Sequence, residues 1–169
     1  MANVMKVSSR GVISTSDYWH GRVDDGTLRG MSSGALNGSV ALGAINNLVV
    51  ATSRVNLIMF INGSTDFTYI LSEGPTITGS GTAISSHRLN LQEPIGTIGA
   101  TFYVSATLSA TGTTIYRKYI ASGVGKFGGG AGQGGGEIGL AAGTNYMFQI
   151  LPHQVGTFNW SMEYYVETD

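Results

Sequence analysis

The residues that could form a nucleotide site stand in a glycine-rich stretch. Residues 123–128 read Gly-Val-Gly-Lys-Phe-Gly, the spacing of a dinucleotide-binding fingerprint. Such a fingerprint requires a helix directly after it, because the helix N-terminus binds the pyrophosphate. Here 9 of the 14 residues from Gly123 to Gly136 are glycine, which disfavours a helix. The P-loop pattern also fails, because Ile120 replaces its first glycine and Phe127 follows Lys126. The stretch therefore predicts a loop and no cofactor site.

Residues that could act as acids, bases or metal ligands are widely spaced. The histidines are His20, His87 and His153, and the sequence contains no cysteine, which excludes thiolate zinc sites and cysteine nucleophiles. Gly79-Ser80-Gly81 does not have the spacing of a Gly-x-Ser-x-Gly nucleophile elbow. We therefore predict no catalytic residue and no metal site. A hydrolase remains an alternative that requires a histidine within hydrogen-bond reach of a serine and a carboxylate.

The charge composition restricts the classes of partner. The formal net charge is −1, and charged residues make up 11% of the chain, against about 25% in an ordinary soluble domain. This balance lacks the basic excess typical of nucleic-acid binding, and low charge favours association with other protein. The longest apolar run, residues 57–61, is far shorter than the roughly 20 residues of a membrane helix, and no signal peptide is recognisable. We expect neither a nucleic acid nor a membrane partner for a chain made in a cytoplasm.

Alternation of apolar and polar residues predicts the elements of the fold. In the last run, Phe158, Trp160, Met162 and Tyr164 fall on one side of a strand, whereas Asn159, Ser161, Glu163 and Tyr165 fall on the other. Further strands are predicted at residues 48–52, 55–61, 67–72, 101–108 and 114–121. The continuous apolar centre of 55–61 predicts burial on both faces. Asn62-Gly63 predicts a hairpin that pairs 55–61 with 67–72.

The number and spacing of these strands predict an all-β fold. Roughly eight to ten strands, with turns every 8–12 residues or so, favour a single antiparallel β-sandwich or jelly roll. We assign residues 17–169 to this domain and residues 1–16 to an extended N-terminal arm or edge strand.

Candidate contact residues come from two places. Tyr18, Trp19 and Arg22 are of the types enriched at interface hot spots, although Trp19 could equally belong to the core. Lys126 and Phe127 are the only large side chains of the glycine tract. Sugar stacking is an alternative role for five tyrosines, against an ordinary place on a sheet. They are Tyr116, Tyr119, Tyr146, Tyr164 and Tyr165.

The C-terminal half resembles a family of small virion proteins of tailed bacteriophages. The resemblance covers about residues 85–167 and includes a strand of the pattern "leucine, small residues, Thr-x-Tyr, alternating apolar" and a final aromatic–Glu strand. The matching residues are Leu140, Thr144, Tyr146, Phe148, Ile150, Trp160, Glu163 and Tyr164. Residues 87–91 match the family loosely, and the segment at 152–156 departs from it.

The resemblance implies a non-enzymatic structural role. Members of the family are β-sandwiches that bind the outside of a capsid as decoration or cement proteins, commonly as trimers. We therefore expect a virion protein whose partners are the major capsid protein and two further copies of itself, with no cofactor. The alternative is a receptor- or glycan-binding head of a phage fibre or tail.

Overall fold

The computed structural model describes residues 28–88, 98–121 and 138–167, and the regular elements in these ranges are all β-strands. The strands are β1 (Arg29–Ser32), β2 (Leu36–Gly38), β3 (Ile45–Ala51), β4 (Val55–Gly63), β5 (Phe67–Glu73), β6 (Thr76–Gly79), β7 (Thr82–Ile84), β8 (His87–Arg88), β9 (Ala100–Val104), β10 (Thr107–Ala110), β11 (Thr113–Ile120), β12 (Ile138–Leu140), β13 (Thr144–Pro152) and β14 (Gly156–Val166). No helix in these ranges is long and apolar enough to cross a membrane.

The strands form two large antiparallel sheets packed face to face. The front sheet has the order β12-β4-β14-β1-β8, with β2 also paired to β14. The back sheet has the order β11-β5-β13-β3-β9-β7. Ring contacts join the two sheets: Phe67 of β5 meets Phe158 of β14 edge-on, with centroids 5.5 Å apart. The predicted all-β, antiparallel sandwich is confirmed, whereas the jelly-roll connectivity stays a prediction.

Alternating side chains of β14 and β4 supply the front half of the core. Phe158, Trp160, Met162 and Tyr164 are buried as predicted, because their face of β14 lies on the back sheet. Tyr165 is also buried, at 2% exposure, so the prediction that it lies on a solvated face is wrong.

Strand β4 does not bury both of its faces equally. Its side chains alternate between fully and partly buried along all nine residues, so the burial predicted for both faces is complete on one face and only partial on the other. The continuous apolar run misled this prediction because Ile58 and Phe60 lie on the outer face, where Glu163 and Ser161 are their cross-strand partners.

The predicted hairpin between β4 and β5 is also wrong. Strand β4 pairs with β14 and β12 in the front sheet, whereas β5 pairs with β11 and β13 in the back sheet, so residues 64–66 cross between the sheets. Gly63 is part of β4, where it faces Phe158. A Cβ at Gly63 would lie within 3.0 Å of both the Phe158 and Phe67 rings. Its lack of a side chain therefore serves core packing, and does not mark a turn.

A two-stranded ribbon crosses the outer face of the back sheet. The predicted single strand at 101–108 is interrupted at Ser105, whose φ is 59°, and this break divides it into β9 and β10. Strand β10 pairs with β6 and leaves the plane of the back sheet. Ile77 and Leu108 of the ribbon pack over Leu48 and Met147, the outward-facing residues of β3 and β13. The back sheet thus buries apolar residues on both faces, which gives the domain a second, smaller core.

A buried hydrogen-bonded group connects the two sheets inside the main core. Asn47 on β3 is 2% exposed, and its Oδ1 accepts a hydrogen bond of 3.0 Å from the indole Nε1 of Trp160 on β14. The Nδ2 of Asn47 donates to the carbonyl oxygen of Phe148 at 3.2 Å. Buried polar groups are costly unless they are paired, so these bonds fix how the sheets face each other.

Candidate interaction surface

Strand β11 forms an exposed edge of the back sheet. Among the described residues it pairs with β5 on one side and with no strand on the other. Six of its eight side chains are exposed, including the large apolar residues Ile115 (53%), Tyr116 (46%) and Tyr119 (54%). An unpaired edge presents backbone N–H and C=O groups to any strand that can approach it. Strand β11 can therefore accept a further strand.

Two basic residues stand in the middle of this edge. Arg117 lies opposite Ile70 and Lys118 lies opposite Tyr69, so neither has an acidic cross-strand partner on β5. Successive residues of a strand point to opposite faces, so the two charges flank the edge from both sides of the sheet. A register shift between Thr114 and Tyr116 adds one unpaired residue at Ile115. Lysine and a bulge are the usual features that prevent indiscriminate pairing at an edge.

A second exposed apolar group lies at the end of the sandwich beside Phe67. Three turns meet there, at residues 39–44, 64–66 and 153–155. Gly38 pairs with Gly156, and the backbone N–H of Ser64 donates to the carbonyl of Thr157 at 2.9 Å. The large exposed side chains of these turns are Val40 (65%), Leu42 (75%) and Val155 (80%). We call this group the loop-end patch.

A polar cluster joins β11 to the loop-end patch. The hydroxyl of Tyr119 donates to Oδ2 of Asp66 at 2.6 Å, and the Tyr119 ring contacts the ring of His153 with centroids 5.3 Å apart. Nε2 of His153 is hydrogen-bonded to Oγ1 of Thr68 at 2.9 Å, and its backbone N–H donates to the carbonyl of Asp66. The pKa of Tyr119 is raised above its ordinary value. The hydrogen bond to Asp66 is the largest cause, and desolvation is the second. The cluster therefore fixes an exposed aromatic ring beside a carboxylate.

The predicted contact residues Tyr18, Trp19, Arg22, Lys126 and Phe127 lie outside the described residues, as does the predicted arm at 1–16. Those five positions therefore stay predictions. The edge residues Arg117 and Lys118 were not predicted as contacts. A basic pair inside a β-branched and aromatic run is typical of an edge strand, and that signal could have identified them.

The tyrosines considered for sugar stacking divide into two groups. Tyr146, Tyr164 and Tyr165 are buried and cannot stack on an external ligand. Tyr116 and Tyr119 are exposed on β11. Since the five residues have the same side chain in similar β-rich contexts, only their place in the sheets separates them.

The described histidines are not brought together. His87 belongs to β8 of the front sheet, whereas His153 follows β13 of the back sheet, and His20 lies outside the described residues. His153 binds a threonine that is 7% exposed, while the nearby carboxylate of Asp66 binds Tyr119. Within the described ranges, no group of three or more His, Cys, Asp or Glu side chains is placed to hold a metal ion.

No protein-family model matches the chain, and no curated protein or solved structure is significantly similar to it.

Proposed function

We propose that the chain is a non-enzymatic structural subunit that binds the outer surface of a phage capsid as a decoration or cement protein, acting as a homotrimer. One observation carries the proposal: large apolar side chains are exposed along β11 and over the adjoining loop-end patch. Exposed apolar residues that cluster in this way are typical of protein-binding surfaces. The resemblance of the C-terminal strands to small phage virion proteins supplies the class of partner.

The physical properties of the surface suit attachment to a repeating protein lattice. The large exposed side chains of the loop-end patch, Val40, Leu42 and Val155, are apolar, so their burial desolvates no charge. Tyrosine and arginine, which occur together on β11, are enriched among residues that dominate binding energy. A closed trimer would present three copies of the same surface and increase the avidity for a symmetric capsid site.

Attachment to particles lacking the chain tests the proposal. We expect the purified protein to bind capsids of the phage that encodes it, and an electron-microscopy map to show it on their outer surface. Val40→Asp and Leu42→Asp should weaken attachment without unfolding the domain, because both side chains are more than half exposed. Ser161→Asp, an equal change of charge on the exposed outer face of β14, is the matched control. Unchanged attachment of both patch variants would contradict the assignment of this surface, and a monomer by light scattering would contradict the trimer.

A glycan- or receptor-binding head is the second candidate. The exposed ring of Tyr119, held beside the Asp66 carboxylate and the His153 ring, combines a stacking surface with a hydrogen-bond acceptor. Aromatic faces and carboxylates commonly contact sugar rings and hydroxyls. A glycan array distinguishes the two candidates: signal that is lost in Tyr119→Ala would favour the head, and absence of signal would eliminate it.

A further inference from the structure

We propose that β11 binds an extended acidic segment of the partner protein as an additional strand of the back sheet. The inference rests on the proposed function in that the segment belongs to the particle to which the chain attaches. Three features together define what such a segment must contain: the edge of β11 that is unpaired among the described residues, its exposed side chains, and two basic residues with no acidic cross-strand partner on β5.

Backbone pairing would supply the direction and register of the contact. The bulge at Ile115 limits regular pairing to the stretch from Tyr116 to Ile120, where β11 keeps a continuous register with β5. The other edge of this five-residue stretch is free of strands in the described part of the chain. Strand addition at such an edge gains main-chain hydrogen bonds, while the side chains determine which strand is accepted.

The two basic residues specify the charge of the incoming strand. The diagonal neighbours of Arg117 on β5 are Thr68 and Ser72, and those of Lys118 are Phe67 and Leu71, so no acidic residue of β5 lies opposite or diagonal to either charge. Arg117 and Lys118 lie on opposite faces of the edge. A partner strand therefore needs two consecutive acidic residues, one for each face. Next to them it needs apolar residues that can contact Tyr116 and Tyr119, which are 46% and 54% exposed.

The same charges disfavour a second copy of β11 as the occupant. If two β11 strands paired antiparallel over the regular stretch from Tyr116 to Ile120, Lys118 would lie opposite Lys118 of the other copy and Arg117 opposite Tyr119. The four positive charges would then lie within neighbouring positions of one small patch. Like charges directly opposite each other on adjacent strands are destabilising. An acidic strand turns the same contacts into favourable ones.

A synthetic peptide tests this without any particle. The probe is acetyl-Thr-Thr-Val-Glu-Glu-Val-Thr-Thr-amide, which reads identically in both directions and so fits a parallel or an antiparallel approach. We expect it to protect β11 amides from hydrogen exchange and to bind about tenfold more tightly than the analogue with Lys-Lys at the centre. Binding should weaken with added salt, because the charges at this edge are exposed. An analogue N-methylated at its four central residues should not bind, because it cannot pair through either edge.

A charge-reversed variant provides the decisive comparison. In Arg117→Glu/Lys118→Glu, the preference should invert, so that the Lys-Lys peptide binds more tightly than the Glu-Glu peptide. Circular dichroism checks that the variant is folded, which we expect because Arg117 is exposed and Lys118 only partly buried. Equal binding of the two peptides to the parent protein, or undiminished binding of the N-methylated analogue, would overturn the proposal.

Two further measurements distinguish this proposal from pairing with a segment of this chain and from the proposed capsid role. A peptide spanning residues 17–30 contains Asp24 and Asp25, the only adjacent acidic pair in the sequence. If it binds β11 as tightly as the probe, the occupant is residues 17–30 of this chain, from the same or a second copy, and the external partner is refuted. Capsid attachment is measured separately: peptide binding without attachment refutes the capsid role alone, whereas attachment without peptide binding refutes the strand addition alone.

Discussion

The buried hydrogen bond between Asn47 and Trp160 links the two sheets, and it should contribute measurably to the free energy of unfolding. Asn47→Ala leaves the indole N–H of Trp160 without its acceptor, which costs about 1–3 kcal/mol, and removes the bond to the Phe148 carbonyl, worth about 1 kcal/mol. The free energy of unfolding should therefore fall by about 2–4 kcal/mol. Trp160→Phe should cost a similar amount, because it leaves Oδ1 of Asn47 unpaired and reduces the volume that fills the core.

The double variant isolates the bond itself. When both partners are removed, neither the indole N–H nor the amide Oδ1 remains to be left unpaired, and the lost bond to the Phe148 carbonyl is common to Asn47→Ala and the double variant. The double variant should therefore be about 1–2 kcal/mol more stable than the sum of the single losses predicts. Urea-induced unfolding followed by far-ultraviolet circular dichroism is a suitable assay, because it does not depend on tryptophan fluorescence. Single losses that add within about 0.5 kcal/mol would refute the argument that the bond joins the sheets.

An exposed pair of the same chemistry is the matched control. Nδ2 of Asn62 on β4 donates to Oδ1 of Asn159 on β14 at 3.3 Å, at a solvent-exposed position. Water replaces either partner when the other is removed, so the corresponding cycle of Asn62→Ala and Asn159→Ala should show a coupling below about 0.5 kcal/mol. The contrast between the two cycles measures the effect of burial on one kind of hydrogen bond.

Two further predictions concern a buried hydroxyl and a close backbone approach. Tyr69→Phe should raise the free energy of unfolding by about 1 kcal/mol in urea titrations, because the Tyr69 hydroxyl is buried with no hydrogen-bond partner among the described residues. Burial, and then the nearby Tyr116, raise the pKa of Tyr69 above the ordinary value of 10.0. The folded state therefore keeps a proton that the unfolded chain loses, so stability is lost as the pH rises above about 10 and the advantage of the Phe variant should grow. Gly81→Ala should cost more than about 2 kcal/mol by thermal unfolding, because φ is +85° and a Cβ would collide with the Val104 carbonyl.

Each of these predictions has a clear contrary outcome. A destabilised Tyr69→Phe variant would show that the hydroxyl has a partner, and an advantage that shrinks at alkaline pH would contradict the direction of the pKa shift. Gly43→Ala is the control for Gly81, because its φ is +74° but nothing lies within 4 Å of the added Cβ. It should cost only the backbone penalty of about 1–2 kcal/mol. Equal losses at both glycines would mean that the close approach has no energetic effect.

Several predictions made from local sequence patterns were wrong, because the same local pattern occurs in more than one structural context. Asn62-Gly63 has the form of a hairpin turn, yet Gly63 is in a strand and makes room for the Phe67 and Phe158 rings. The pattern at 101–108 contains no proline or glycine, so nothing in it marked the break that occurs at Ser105. Tyr165 stands at a position that alternation assigns to solvent, but it is buried. For Gly63, the ring of Phe158, almost a hundred residues away in the chain, occupies the space that a side chain would need.

In the candidate surface, too, the local sequence does not determine which residues are exposed. Exposed and buried tyrosines have indistinguishable local sequence, and only the position of β11 at the edge of the back sheet leaves Tyr116 and Tyr119 accessible. The loop-end patch is still less predictable, because Val40 and Val155 are separated by more than a hundred residues, and the pairing of β2 with β14 brings their turns to the same end of the sandwich.

The sequence by itself determined the class of the fold and the buried face of its longest strand. Alternation of side chains along an extended chain is a local property, so Phe158, Trp160 and Met162 could be assigned to the core from their spacing alone. Tertiary structure decided which strands pair, which sheet each one joins and which edge remains open. Those choices depend on contacts between residues far apart in the chain, such as Asn47 and Trp160, and no local pattern encodes them.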